Sequence, residues 1–302
     1  MRIFVTGASG YIGTEVSREL HEAGHQVVGL ARSDSSADAL RKAGYEVQLG
    51  SLDDLDVLRR AAEESDGVVN LAFNNVGMRT DFMESVRQDQ AAVEAMLGVL
   101  EGTNKPFVNT SGTLMLSFLG RLGTEEDVLD SALPRVGTEN AVIESAARGV
   151  RSSSIRLSPS VHGESDLHGF MPGLINIARE TGVSGYVGDG NNRWPGVHVS
   201  DAARLYRLAV ESAPAGSRLH GVGDEGVAFK QIAEAIGRNL DVPVVSISPD
   251  DVAEHFSYLA MFVGWDNPTS NAITRRLLDW QPTHPGLLED LNKGFYFDAP
   301  NP

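Results

Sequence analysis

Along the first two thirds of the chain, short apolar runs alternate with amphipathic stretches of helical period. Residues 2–6 (Arg-Ile-Phe-Val-Thr) read as a strand and 10–23 as a helix. A second strand at 26–31 closes in the polar turn Arg32-Ser33-Asp34-Ser35, before a helical stretch at 36–42. A third strand at 46–49 precedes a helix at 52–64, with Leu55, Val57, Leu58, Ala61 and Ala62 at helical spacing. The run 67–72 is apolar almost throughout, as a strand covered on both faces would be. A long helical stretch at 83–100 leads to a strand at 106–109, and a helix at 139–147 to a strand at 153–157. Strands alternating with helices predict βαβ units, hence an α/β fold with a doubly wound parallel sheet.

After Leu157 the pattern loosens, with Pro, Gly and His frequent between Pro159 and Gly196. Helices resume at 199–211 and 228–239, followed by an apolar-aromatic segment at 252–265 and a terminal helix at 271–278. The expected organisation is a main domain over residues 1–160. A smaller, substrate-covering region over 161–302 returns some elements to the main sheet. No flexible linker, internal repeat or low-complexity segment divides the two.

The junction of the first strand and helix carries Thr6-Gly7-Ala8-Ser9-Gly10-Tyr11-Ile12-Gly13. Such a turn needs Gly7 for its backbone angles and Gly10 for close approach of a pyrophosphate. Gly13 lets the helix lie against the strand, and the helix N-terminus offers free N–H groups to phosphates. A Gly-x-x-Gly-x-x-Gly at this place reads as a Rossmann dinucleotide-binding turn, with Ser9, Tyr11 and Ile12 beside the cofactor. About 20 positions further on, an NAD site carries an acidic residue for the ribose hydroxyls. Here Ala31 is followed by Arg32 and Ser33, a pairing suited to a 2′-phosphate. The reading therefore favours NADP(H) over NAD(H), with Asp34 as the acidic neighbour still able to meet a ribose.

Composition narrows the partners. The formal charge of −16 argues against nucleic acid and anionic membranes. Absence of cysteine removes disulfides, thiol catalysis and Cys-type metal sites, and the eight histidines show no ligand-like spacing, so no metal is expected. No signal-peptide pattern or spanning apolar run is visible, which points to a cytoplasmic enzyme.

Several further segments, in order, make the chain resemble the short-chain dehydrogenase/reductase superfamily, in the extended and atypical branch that includes epimerase/dehydratase-like proteins. These are Gly50-Ser51-Leu52-Asp53, Val69-Asn70-Leu71-Ala72-Phe73, Arg156-Leu157-Ser158-Pro159-Ser160-Val161-His162-Gly163, and the run from Gly188 to Ala202 with Val197-His198-Val199-Ser200-Asp201. The resemblance implies that Ser51 and Leu52 contact adenine. It implies that Leu71, Ala72 and Phe73 run under ribose and diphosphate, and that Pro159 and Val161 lie near the nicotinamide. It also places Ser111 where the family has its catalytic serine, with Thr113 in reach of the same pocket. The stretch 83–100 occupies the place of the family's dimer helices, so a homodimer is expected without being required.

One departure bears on mechanism. The family's proton transfer depends on Tyr-x-x-x-Lys, yet none of the six tyrosines has Lys four residues later. The nearest equivalent by distance is Arg135-Val136-Gly137-Thr138-Glu139. Arg135 could polarise a carbonyl but not protonate one. Glu139 could accept from ribose hydroxyls or sit in a helical first turn. His162, His168 and Tyr186 are the candidate proton donors. Ser200 or Asp201 fits a helix N-cap, Arg193 and Trp194 lie on a loop near the substrate, and Phe256, Leu259, Met261, Phe262 and Trp265 read as core or interface before pocket wall. The function expected is an NADP(H)-dependent oxidoreductase acting on a small apolar carbonyl or alcohol. A non-catalytic NADP(H) sensor or scaffold, and an epimerase or dehydratase with tightly held cofactor, stay open.

Overall fold

The computed structural model describes residues 1–74 and 81–298. Its order begins β1 (Arg2–Thr6), α1 (Tyr11–Glu22), β2 (Gln26–Ala31), α2 (Asp34–Lys42), β3 (Glu46–Leu49), α3 (Leu55–Glu63), β4 (Gly67–Asn70), α4 (Phe82–Leu100) and β5 (Pro106–Gly112). A 3-10 turn (Thr113–Leu119) leads to α5 (Val136–Glu144), β6 (Arg151–Leu157), β7 (Ser160–His162), α6 (Phe170–Thr181), β8 (Ser184–Val187), β9 (Arg193–His198) and α7 (Val199–Ser212). The chain closes with β10 (Ser217–Gly221), β11 (Asp224–Ala228), α8 (Phe229–Leu240), β12 (Val244–Ile247), α9 (Val252–Phe256), α10 (Ala272–Leu278), α11 (Leu287–Asn292) and α12 (Phe295–Asp298).

Seven strands form the main sheet in the order β10-β6-β5-β4-β1-β2-β3, every neighbouring pair parallel. The order reverses between β1 and β4, which opens a crevice at the carboxyl ends of those two strands. Apolar side chains of α1, α2 and α7 fill one face, among them Val16, Leu20, Leu40, Leu205 and Tyr206. Leu58, Val93, Met96 and Val142 from α3, α4 and α5 fill the other. Both faces are thus covered, which is why β1 and β4 contain almost no exposed position.

The second region has its own core around Trp194, Phe229, Ile232, Phe256 and Leu291. It carries a three-stranded sheet (β11-β9-β7) and a two-stranded one (β12-β8). The irregular reading of 159–196 missed three strands and α6. The strands are too short for a clear period, and α6 opens Phe-Met-Pro-Gly. Pro172 and Gly173 oppose helix by propensity, but a proline in the first turn gives up an N–H that has no intrahelical partner anyway. No helix among the described residues is long and apolar enough to cross a membrane.

Candidate functional site

The site begins where β1 turns into α1. Gly7 is left-handed at φ +69, and a Cβ there would lie 2.9 Å from the Ala72 nitrogen. A Cβ on Gly13 would stand 1.9 Å from the Gly7 carbonyl oxygen, so α1 packs directly on the turn. The turn closes through Gly10 N–H donating to Gly7 O at 3.0 Å. Gly10 caps α1 without a side-chain hydrogen bond, leaving the helix N-terminus open to the cleft. Thr6 ties the opposite wall: its hydroxyl accepts from the N–H groups of Leu71 and Ala72 at 3.1 Å and donates to Asn70 Oδ1 at 2.7 Å.

Two clefts meet over this turn and share Gly7, Ser9, Gly10, Leu71 and Phe73. The first, about 340 Å³, runs past Ala72 to Arg32, Ser33, Ser36, Ser51 and Leu52. Ser33 caps α2, accepting from Ser36 N–H at 3.3 Å, and its hydroxyl also meets that of Ser35 at 3.0 Å. Arg32 is exposed and donates to Asn74 Oδ1 at 3.2 Å. Asp54 anchors Ser51 through its N–H and hydroxyl at 2.7 and 2.9 Å.

The second cleft, about 730 Å³, is bounded by Tyr11, Ile12, Gly13, Ser111, Arg135, Pro159, Val161 and the loop Ser165–Phe170. Leu157, Leu167 and Phe170 join Leu71 and Phe73 as its apolar surface. Arg135 is left-handed at φ +65 as the cap of α5, a conformation costly for a side chain with a Cβ and one that concentrates at functional positions. Its guanidinium lies 4.2 Å over the Phe73 ring, donates to Thr110 O at 2.7 Å and stands 4.0 Å from buried Asp89. Burial raises the Asp89 carboxyl, while Arg135 and an Asn70 hydrogen bond oppose the rise. Asp166 accepts from Gly169 N–H at 2.9 Å and from Tyr296 hydroxyl at 3.2 Å. Burial nonetheless pushes its carboxyl up to about 6. Beside it, burial and then the charges of Asp166 and Asp290 raise the Tyr11 phenol.

Comparison with known proteins joins this geometry to a family. The sequence model of the NAD-dependent epimerase/dehydratase family matches residues 3–120. An uncharacterized protein of Schizosaccharomyces pombe is 47% identical over 298 residues, covering 98% of this chain and 100% of the relative. An uncharacterized protein of Saccharomyces cerevisiae is 44% identical over 299 residues, covering 98% and 99%. The structure of dTDP-glucose 4,6-dehydratase from Bacillus anthracis, in complex with NAD, superposes with a TM-score of 0.74 at 16% identity, covering 98% of this chain and 95% of that one.

The chain belongs to the NAD-dependent epimerase/dehydratase family.

It is accordingly an NAD(P)-dependent enzyme with the family's Rossmann sheet. Within that family frame the structure brings together Gly7, Ser9, Gly10, Tyr11, Ile12, Gly13, Leu71, Ala72 and Phe73. It sets Arg32, Ser33, Ser51 and Leu52 at one end, and Ser111, Arg135, Pro159, Val161 and His168 at the other.

Other expected residues lie elsewhere. Thr113 is fully buried, its hydroxyl donating to Asn267 Oδ1 and its main-chain carbonyl accepting from Asn267 Nδ2, each at 2.9 Å, so it clamps a distant loop and does not line the cleft. His162 is fully buried with Nδ1 at 2.7 Å from Asp290, which excludes it as a proton donor to the cleft. Glu139 is in the first turn of α5, but its carboxylate is occupied by Arg156 and Arg218 and is 1% exposed, so it does not meet a ribose on the wall. Asp34 opens α2 off the cleft lining, and Tyr186 packs under Lys230, 5.4 Å from its nitrogen. The cap of α7 is His198, whose Nδ1 accepts from Ser200 N–H, while Asp201 instead holds the N–H groups of Thr283 and His284. Arg193 pairs with Asp266, and Trp194 is a core anchor between Phe170 and Phe229. Phe256 and Leu259 are core, Met261 is exposed and Trp265 packs on Phe118, so this aromatic stretch supplies no cleft wall.

Sequence reasoning missed Asp166 and its partner Tyr296. The first sits in an irregular loop and the second is 130 residues later, so no local pattern links them.

Proposed function

We propose that the chain is an NADP(H)-dependent oxidoreductase acting on a small, apolar alcohol or carbonyl compound. The observation that carries this reading is that two clefts meet over the glycine turn. One reaches Arg32 and the other Ser111 and Arg135, and both are lined by Gly7, Ser9, Gly10, Leu71 and Phe73. The groups present fit the dinucleotide: glycines that leave no room for a Cβ, an open helix N-terminus, and an arginine flanked by serine hydroxyls at the far end. Arg32 can give a bidentate pair to a 2′-phosphate, which a carboxylate at this position would repel. Residues 1–160 would hold the cofactor and most of 161–302 would cover the substrate.

When bound, the nicotinamide ring supplies or accepts a hydride. The chain's own part is positional and electrostatic. Leu71, Phe73, Leu157, Val161, Leu167 and Phe170 exclude water and select for an apolar body. Ser111 meets the reacting oxygen, and Arg135 sets a fixed positive charge beside it. Arginine keeps its charge at neutral pH, so a proton must move through another group. Asp166 and His168 are the titratable side chains on this wall that can serve.

The test follows nicotinamide absorbance and product together across a panel of alcohols and ketones, with Ser111→Ala alongside. Substrate-dependent oxidation or reduction of the nucleotide that Ser111→Ala loses supports the reading. Product without net nucleotide change would instead assign an epimerase or a dehydratase, the latter being the activity named for the Bacillus anthracis neighbour. Nucleotide binding with neither would leave a sensor or scaffold.

A further inference from the structure

Asp166 is 5% exposed and lines the second cleft, yet no cation among the described residues pairs with it. Other buried acids around this cleft are compensated. Asp89 stands 4.0 Å from Arg135, Glu139 bonds Arg156 and Arg218, and Asp290 holds His162 at 2.7 Å and Lys293 at 3.0 Å. Asp166 has neutral donors in their place. Gly169 N–H meets Oδ1 at 2.9 Å, and the Tyr296 hydroxyl meets Oδ2 at 3.2 Å. Gly163 N–H donates to the Tyr296 oxygen at 3.1 Å, which leaves the single phenol proton for Asp166. The main chain of Asp166 is fixed as well, its N–H donating to Gly163 O at 3.0 Å. Each carboxyl oxygen has two acceptor positions. Gly169 and Tyr296 take one on each, so one on each remains for a ligand in the cleft. His168, in the same loop, is exposed, so water competes for its proton.

We propose that Asp166 is the catalytic acid–base group of this cleft, and that Tyr296 is the positioning residue that holds its carboxyl in place. This role rests on the oxidoreductase reading above and selects Asp166 over His168. In alcohol oxidation the substrate O–H bond breaks and an O–H bond forms on a carboxyl oxygen of Asp166. The electron pair of the departing C–H bond goes, as hydride, to the oxidised nicotinamide named above as co-substrate. Carbonyl reduction runs the same exchange backwards, with Asp166 giving up the proton. Burial without a cation holds this carboxyl at about 6, above the ordinary 3.8, and the Tyr296 hydrogen bond works against the rise. A group titrating near the working pH exchanges protons most effectively. The titratable groups around it are Tyr296 from α12, Tyr11 from α1 and His162 from β7, besides His168 in its own loop. Burial raises both phenols, so they stay neutral, and His162 has its Nδ1 taken up by Asp290.

Carbon-13 NMR of the nucleotide-free full chain reads the carboxyl directly, with the Asp166 side-chain resonance assigned through its own backbone. A titration midpoint near 6 is expected. It should move up by about one unit in Tyr296→Phe, which removes one hydrogen bond to the charged form. A midpoint in the ordinary carboxylate range, or one that Tyr296→Phe leaves in place, overturns the assignment. If Tyr296→Phe does not fold, the wild-type midpoint and Asp166→Asn still decide. Turnover of the alcohol panel with NADP+ reads the consequence. In the wild type kcat is expected to rise with pH through about 6, and this limb should follow the NMR midpoint upward in Tyr296→Phe. Asp166→Asn is expected to lose the limb and about 100-fold in kcat, with KM changed by less than about twofold. Asp166→Asn with wild-type kcat, or a loss confined to His168→Ala, overturns the role of Asp166 alone. A wild type that turns over none of the panel fails the oxidoreductase reading, and this role with it.

Discussion

The two ends of the cleft are built by different means. At the glycine turn and the Arg32 end, the lining is main-chain N–H groups and hydroxyls within a few residues of a strand end, with Arg32 as the one charged side chain among the described residues that line it. At the other end, side chains from well-separated segments converge: Ser111 from β5, Arg135 from the cap of α5, and Asp166 from a loop pinned by Tyr296 of α12. Behind that end lies a buried charge network, Glu139 with Arg156 and Arg218. The first construction depends on where the backbone can go. The second depends on tertiary packing, and its charges are expensive to leave unpaired.

The sharpest way to break the contrast is Arg156→Leu, which strands Glu139 in the core with one partner fewer. Destabilisation of about 3–5 kcal/mol is expected in urea unfolding, against less than about 0.5 kcal/mol for the exposed Arg32→Asp. Equal effects would mean that the two ends do not differ in this respect.

Asp166 provides a pH test of the chemical end. Its folded pKa, about 6, lies above the ordinary 3.8, so folding favours the protonated form. Its contribution is fully present below about pH 4 and is lost as pH rises through about 6. The shift corresponds to at most about 3 kcal/mol. Asp166→Asn is expected to gain stability relative to wild type on going from pH 4.5 to pH 7, at about that order of magnitude. A difference that does not vary with pH would show that Asp166 is not held protonated.

Gly13→Ala strikes the other end. A Cβ placed 1.9 Å from Gly7 O must push α1 off the turn, at a cost of about 1–3 kcal/mol in unfolding. Because the phosphate-facing N–H groups move with the helix, calorimetry should show nucleotide affinity reduced by about 100-fold, equivalent to about 2.7 kcal/mol. Arg135→Lys is the smallest and sharpens the division. It keeps the charge but loses the planar stack over Phe73, worth about 1 kcal/mol. Turnover should fall about tenfold in steady-state assays, with nucleotide affinity changed by less than about twofold.

The same contrast explains what the sequence disclosed. Gly7 and Gly13 announce their purpose because a Cβ there collides with backbone, a constraint visible in residue type and spacing alone. The strands β1, β2, β4, β5 and β6 were legible because they are buried along most of their length and the chain alternates strand and helix; β3, at the sheet edge, was legible from that alternation. Arg32 was legible because it directly follows β2. Glu139 was not, because position in a helical first turn says nothing about two arginines on neighbouring strands. Thr113 and His162 were placed near substrate by their nearness in sequence to Ser111 and Pro159. Their neighbours in space, Asn267 and Asp290, come from more than 120 residues away.

If the proposed function holds, this cleft selects NADP(H) over NAD(H) through Arg32. Calorimetric titration of nucleotide-free protein with NADPH and NADH, beside Arg32→Asp, tests it most directly. NADPH is expected to bind about 100-fold tighter than NADH, as a charge-assisted contact to a phosphate would give, and the variant to lose that margin while still binding NADH. Equal affinities in the wild type, or no binding of either nucleotide, would contradict the claim.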